Sequence, residues 1–171
     1  MSSQPFFSKE TYIARRQVLK QQFRKGIILL LGNEESSANY KDNWYPFRQD
    51  STFLYYAGIA QAGLALVIDA ATGTEVLFGD ELSIEDIVWT GPLPTLSELS
   101  NAAGIQKVFP LKDISNYLKG EVLFLPQYRA EHSINISSWL NKSIHEIQSG
   151  ASVALIKAIA NHTGRHIIII P

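Results

Sequence analysis

The sequence predicts an α/β domain, a mixed sheet with helices packed on its faces. Two observations predict it. Short, branched apolar runs bounded by glycine or proline, such as "IILLL" between Gly26 and Gly32 and "EVLFLP" closed by Pro126, suit buried strands. Between them lie amphipathic stretches with helix start and stop signals. In chain order the elements run αβ(β)ββαααβαα, a succession that layers helices over a mixed sheet.

The first helix is expected over residues 9–24. Ser8 is placed as its N-cap, Phe7 and Tyr12 as a hydrophobic staple, and Tyr12, Ile13, Val18, Leu19 and Phe23 mark an apolar face before Gly26. "IILLL", residues 27–31, is the first strand, and the polar loop "GNEESSANYKDN" follows. In "NWYPFRQDSTFLYYAG", residues 43–58, Pro46 fixes its own backbone and biases Tyr45 toward an extended form, which predicts a rigid strand-edge geometry for "WYPF". "LALVID" and "TEVLFG" flank "AATG", where Gly73 supplies the turn of a hairpin between two central strands.

Helical signals then resume. In "LSIEDIVWTGP" Ser83 can cap, Leu82 can staple to Ile87, and Gly91 followed by Pro92 stops the helix. Thr95 and Glu98 form a capping-box pattern for "TLSELSNAAG", which ends at Gly104. "DISNYLKG" reads as a short helix ending at Gly120, "EVLFLP" as a strand, and "SINISSWLNKSIHEI" and "ASVALIKAIANH" as two further helices.

A chain of 171 residues, 46% apolar and 18% charged, can bury one core, so residues 1–171 are expected to form a single domain. Fifteen Lys and Arg against sixteen Asp and Glu leave no basic footprint for nucleic acid or an anionic membrane. The longest apolar runs are too short to span a bilayer, and the first residues lack a signal-peptide core. With no cysteine at all, the expected setting is the cytoplasm.

Common catalytic motifs are missing. None of the eleven glycines forms GxGxxG or a Walker sequence, and there is no GxSxG elbow. His162 and His166 have the spacing of a zinc-peptidase pair, but Gly164 lies between them and no glutamate does, which favours a surface or tail reading. His132 and His145 have no partner at ligand spacing and are expected on helix surfaces. Glu81, Glu85 and Asp86 could do acid-base work, yet a helix cap and first turn accounts for them more simply.

The aromatic stretch remains. Arg48 sits among rings, where a guanidinium can stack on a face and bond carbonyls or Asp50 and so be buried without isolation. Two readings stay open for it: a polar knot that pins the loop to the core, which the residues favour, or a ligand-contacting loop.

"YPFRQDSTFLYYAGI", followed by "AGLALVID", "VLFGD" and "IVWTG", resembles the N-terminal domain of the Xaa-Pro aminopeptidases, the aminopeptidase P, prolidase and creatinase superfamily, and the likeness runs from about Ser8 to Ile159. The resemblance implies a ribonuclease-H-like unit with a mixed sheet of about six strands. It also implies a following "pita-bread" catalytic domain, which binds two divalent ions, usually manganese, through two Asp, one His and two Glu. This chain ends at Pro171, where such a domain would begin, so no metal ligand or catalytic residue carries over and the chain alone is expected not to hydrolyse peptides.

What the resemblance leaves for this domain is assembly and substrate shaping. Its partners would be its own catalytic domain and other copies of itself, with proline-containing peptides bound by the whole enzyme. Trp89 matches the tryptophan that oligomeric members lend to a neighbouring subunit's active-site mouth, although a ring at a helix end can equally serve this domain's own core. Tyr45, Pro46, Phe47, Arg48, Gln49 and Asp50 are implied as a structural signature. After "LIKAI" the likeness fails, because "ANHTGRHIIIIP" turns apolar. The alternatives are a free-standing interaction module that kept the fold, or a small-molecule domain using the aromatic loop as a pocket.

Overall fold

A computed structural model describes residues 5–36, 45–91 and 93–164, apart from the side chains of residues 86, 89 and 90. A five-stranded mixed sheet forms its centre, in the order β4-β3-β2-β1-β5, where the resemblance implied about six strands. β1 (Ile27–Leu31) pairs antiparallel with β2 (Ala65–Asp69) and parallel with β5 (Val122–Phe124). β3 (Glu75–Phe78) completes the expected hairpin with β2 and pairs parallel with β4 (Lys107–Phe109). The hairpin turn is built as its residues suggest: the Asp69 carboxylate accepts the Ala71 and Thr72 amides, and Gly73 adopts a φ of 74°.

Side-chain alternation along the strands divides the core in two. Ile28 and Leu30 of β1 join Leu66, Ile68, Leu77 and Leu123 on one face, beneath α1 (Lys9–Gln21), α2 (Ser51–Ala57), α4 (Leu96–Ala103) and α7 (Val153–Thr163). Leu29 joins Val67, Val76, Phe78 and Phe124 on the other, beneath a 3-10 helix (Leu111–Asn116), α5 (Ala130–Leu140) and α6 (Ile144–Ser149). α3 (Ile84–Thr90) follows the hairpin, and α4 begins with the expected capping box of Thr95 and Glu98.

Several elements differ from the sequence reading. The strand edge expected at "WYPF" is not formed: Tyr45, Pro46 and Phe47 lie in a loop, and a helix follows, which Asp50 caps and Gly58 ends at φ 71°, with Phe53, Tyr56 and Ala57 on one buried face. Aromatic enrichment points to a strand, but the spacing of 3 and 4 prevails. The single helix expected across residues 133–147 breaks at Asn141, whose φ of 51° ends α5 before Ser143 and Glu146 cap α6. "DISNYLKG" forms most of a 3-10 helix rather than an α-helix, and β4 was not anticipated. On α1 the buried residues are Tyr12, Arg16 and Leu19, while Ile13 and Val18 are exposed, so the inward stripe contains a charge.

Candidate functional site

Of the six signature residues, Gln49 is the buried one, at 7% exposure. Its Oε1 accepts the main-chain N–H of Asn33 at 2.7 Å and of Asp50 at 2.9 Å, and its Nε2 donates to the carbonyls of Ile59 at 3.2 Å and Gln61 at 2.7 Å. A neutral amide with two donor and two acceptor positions satisfies four backbone groups without desolvating a charge. Asp50 then accepts the Thr52 and Phe53 amides, each at 2.9 Å. Tyr45, Pro46 and Arg48 are exposed and Phe47 is half-buried.

Burial of Arg48 against Asp50 is therefore not what the structure has. Only the Arg48 carbonyl is engaged, by Asn33 Nδ2 at 2.8 Å, and its side chain stays in water, where a charge costs nothing to hydrate. The guanidinium that lies among rings belongs to Arg15, 4.0 Å from the centroid of Tyr55 and 4.6 Å from that of Phe7. The fully buried guanidinium is Arg16. It donates to Glu75 Oε2, to the Tyr56 carbonyl and to the Ala103 carbonyl, each at 2.8 Å, tying α1 to β3 and to the ends of α2 and α4. Sequence reasoning missed it, although a charge four residues after Tyr12 and three before Leu19, on the inward stripe, was the signal available.

A polar cleft of about 280 Å³ opens where the loops after β1 and β5 meet, lined by Asn33, Arg48, Gln49, Asp50, Ser51, Tyr128 and Arg129. Asn33 is 5% exposed, and its Oδ1 has no partner among the described residues. The buried Nε–H of Arg129 is likewise open, while its outer nitrogen sits 3.4 Å from Glu131. His132 lies buried in the first turn of α5 rather than on its surface; burial pushes its imidazole below the ordinary value, against the pull of Glu131 and the Gly32 backbone. Glu34, next to Asn33, is pushed up by burial and by repulsion from Glu131 and Glu35.

The remaining candidates are dispersed. His145 is exposed as expected. His162 pairs through Nδ1 with the Tyr56 hydroxyl at 3.1 Å, and His166 and Trp44 lie outside the described residues, as does the side chain of Trp89. Glu81 accepts the Leu96 amide at 3.1 Å, so it serves the start of α4 and not α3, while Glu85 lies in the first turn of α3. Among the described residues no three His, Asp or Glu side chains gather as a metal site, and no helix is long and apolar enough to cross a membrane. Asp50 is committed to a helix cap and Glu75 to Arg16 and Lys20.

The family model "Aminopeptidase P, N-terminal domain" matches residues 12–132, a span from α1 through the cleft. The chain belongs to that family. A probable Xaa-Pro aminopeptidase of Aspergillus terreus is 24% identical over 106 residues, covering 62% of this chain and 22% of the relative. The human Xaa-Pro dipeptidase is 26% identical over 117 residues, covering 64% and 24%. E. coli aminopeptidase P in its low-pH form superposes with a TM-score of 0.70 at 22% identity, covering 79% of this chain and 33% of that one, a likeness of fold. The aminopeptidase P N-terminal domain seen here thus spans about a quarter of the length of these curated relatives.

Proposed function

We propose that this domain is the non-catalytic N-terminal part of an Xaa-Pro aminopeptidase, serving self-assembly and the shaping of the substrate site. The whole protein would be a metallopeptidase with two divalent ions, manganese being the family's usual metal, held in a catalytic domain of the pita-bread type. The observation that carries the assembly role is the outer face of α3. Ile84 is 81% exposed and Val88 75% exposed, four residues apart and so on one side of the helix that bears Trp89. An uncovered aliphatic pair on a helix next to the matching tryptophan suits a subunit contact that carries Trp89 toward a neighbour's active-site mouth.

The test has two arms. This chain alone, supplied with manganese, should leave an Arg-Pro-Pro peptide intact; cleavage would refute the non-catalytic reading. In the complete protein, Ile84→Glu should weaken self-association in sedimentation, and Trp89→Ala should raise the KM for the peptide. An unchanged sedimentation profile together with an unchanged KM would remove the assembly role and leave a free-standing interaction module as the better account.

A further inference from the structure

The polar cleft lies where the topology creates a vacancy. β1 and β5 are parallel neighbours, yet the chain leaving β1 enters α2, whose Phe53 and Tyr56 pack on one face of the sheet, and the chain leaving β5 enters α5, whose Ile136 packs on the other. Strands whose connections diverge in this way leave a crevice at their carboxyl ends, the usual ligand position in open α/β sheets. An independent observation points the same way. Asn33 lines the crevice, is almost wholly buried, and has an unpartnered Oδ1. Its Nδ2 is held by the Arg48 carbonyl, so the amide cannot turn over to hide the oxygen. The Nε–H of Arg129, another residue of the lining, is a buried donor without a partner among the described residues. Groups of this kind are unfavourable until something fills them.

Their chemistry specifies the filler. It must donate one hydrogen to Asn33 Oδ1 and accept one from Arg129, and its accepting end should be anionic. Two guanidinium groups, Arg48 and Arg129, line the crevice; Arg129 also lies 3.4 Å from the Glu131 carboxylate, which takes up its own main-chain N–H at the start of α5. The one carboxylate in the lining, Asp50, is already taken up by the amides of α2. A peptide's carboxyl terminus offers both, an N–H donor and a carboxylate on the same residue. We infer that this crevice binds the C-terminal residue of a short peptide, its carboxylate on Arg129 and Arg48 and its last amide N–H on Asn33. The choice of a peptide among N–H-bearing carboxylates rests on the peptidase reading above.

Titration of the 15N-labelled chain with N-acetyl-Ala-Pro-Ala, with its C-terminal amide, and with inorganic phosphate tests this. The free acid should bind saturably, and the amide should bind about tenfold more weakly. Arg129→Gln and Arg48→Gln should each weaken the acid several-fold, with melting temperatures unchanged because both side chains reach solvent. The inference fails if acid and amide bind alike, if phosphate matches the peptide, if Arg129→Gln leaves affinity intact, or if nothing saturates below about 10 mM. The acetylated probe has no free amino terminus, so binding is read independently of hydrolysis: a failed titration removes this site alone, and peptidase assays of the complete protein judge the wider reading.

Discussion

Gln49→Leu isolates the contribution of the signature's buried residue. The substitution keeps the side chain's approximate size but removes all four of its hydrogen bonds. Two of the abandoned groups, the Asp50 N–H and the Gln61 carbonyl, lie where water can reach them, and two, the Asn33 N–H and the Ile59 carbonyl, are buried. At about 1–3 kcal/mol for each buried group left without a partner, the loss centres on about 4 kcal/mol. For a domain of this length that lowers the melting temperature by about 12 °C. Urea unfolding followed by circular dichroism should show a lower midpoint with an unchanged m-value. Arg48→Ala, one residue away but exposed, should stay within about 0.5 kcal/mol of the parent. If Arg48→Ala cost as much as Gln49→Leu, the charge and not the amide would be the anchor, and the assignment of the knot would be wrong.

Three further outcomes are expected. Arg16→Met strands the carbonyls of Tyr56 and Ala103 but leaves Glu75 with Lys20 at 2.9 Å, so calorimetry should register a loss of about 3 kcal/mol; a loss under about 1 kcal/mol would mean that α1 is held by its apolar contacts alone. Gly58→Ala places a methyl 2.2 Å from the Tyr12 ring at a φ of 71° and should destabilise far more than Gly120→Ala, where φ is 84° but nothing lies within 4 Å; equal melting temperatures for the two would contradict the close approach of α1 and α2. Burial depresses the His132 pKa, so its contribution to stability is complete above the unfolded-state value of about 6.5 and is lost as pH falls toward the folded-state value. Replacement by Phe should flatten the stability profile below the unfolded-state value, and an unaltered slope there would show that another group titrates.

Much of the fold was legible because its signals are local. The Gly73 turn, the Thr95–Glu98 box and the apolar runs of β1, β2, β3 and β5 each carry their own explanation within about ten residues, whereas the stretch holding the Ser143–Glu146 box reads as one continuous helix. β4 was not legible, because three residues pair only through a parallel neighbour, β3, far back in the chain. α2 was masked by aromatics that suit a strand equally well. The site was less legible still. Arg16 is polar by composition, and only the partners converging from β3, α2 and α4 make its burial possible. Gln49 is anchored by backbone groups of Asn33, Ile59 and Gln61, and the cleft needs Tyr128 and Arg129 from the opposite end of the sequence.

Strand directions relate the features that the fold leaves unfinished. β2 is antiparallel to both β1 and β3, so β1 and β3 run the same way, and β5 and β4 run parallel to them in turn. Four of the five strands therefore point their carboxyl ends to one edge, and only β2 runs against them. The Asn33 loop leaves that edge after β1, the Arg129 loop after β5, and the segment leading to α3 after β3. Two other buried polar side chains are consumed internally, Arg16 by Glu75 and three carbonyls, Gln49 by four backbone partners. At this edge the balance is not closed: Oδ1 of Asn33, Nε of Arg129 and Nε2 of His132 have no partner among the described residues, and Ile84 and Val88 of α3 are exposed. Because the cleft is polar and the α3 face apolar, the two demands separate experimentally. Ile84→Glu should alter association without touching peptide titration, and Arg129→Gln should do the reverse. A variant at one position that abolished both would mean that the edge is a single surface met by one partner.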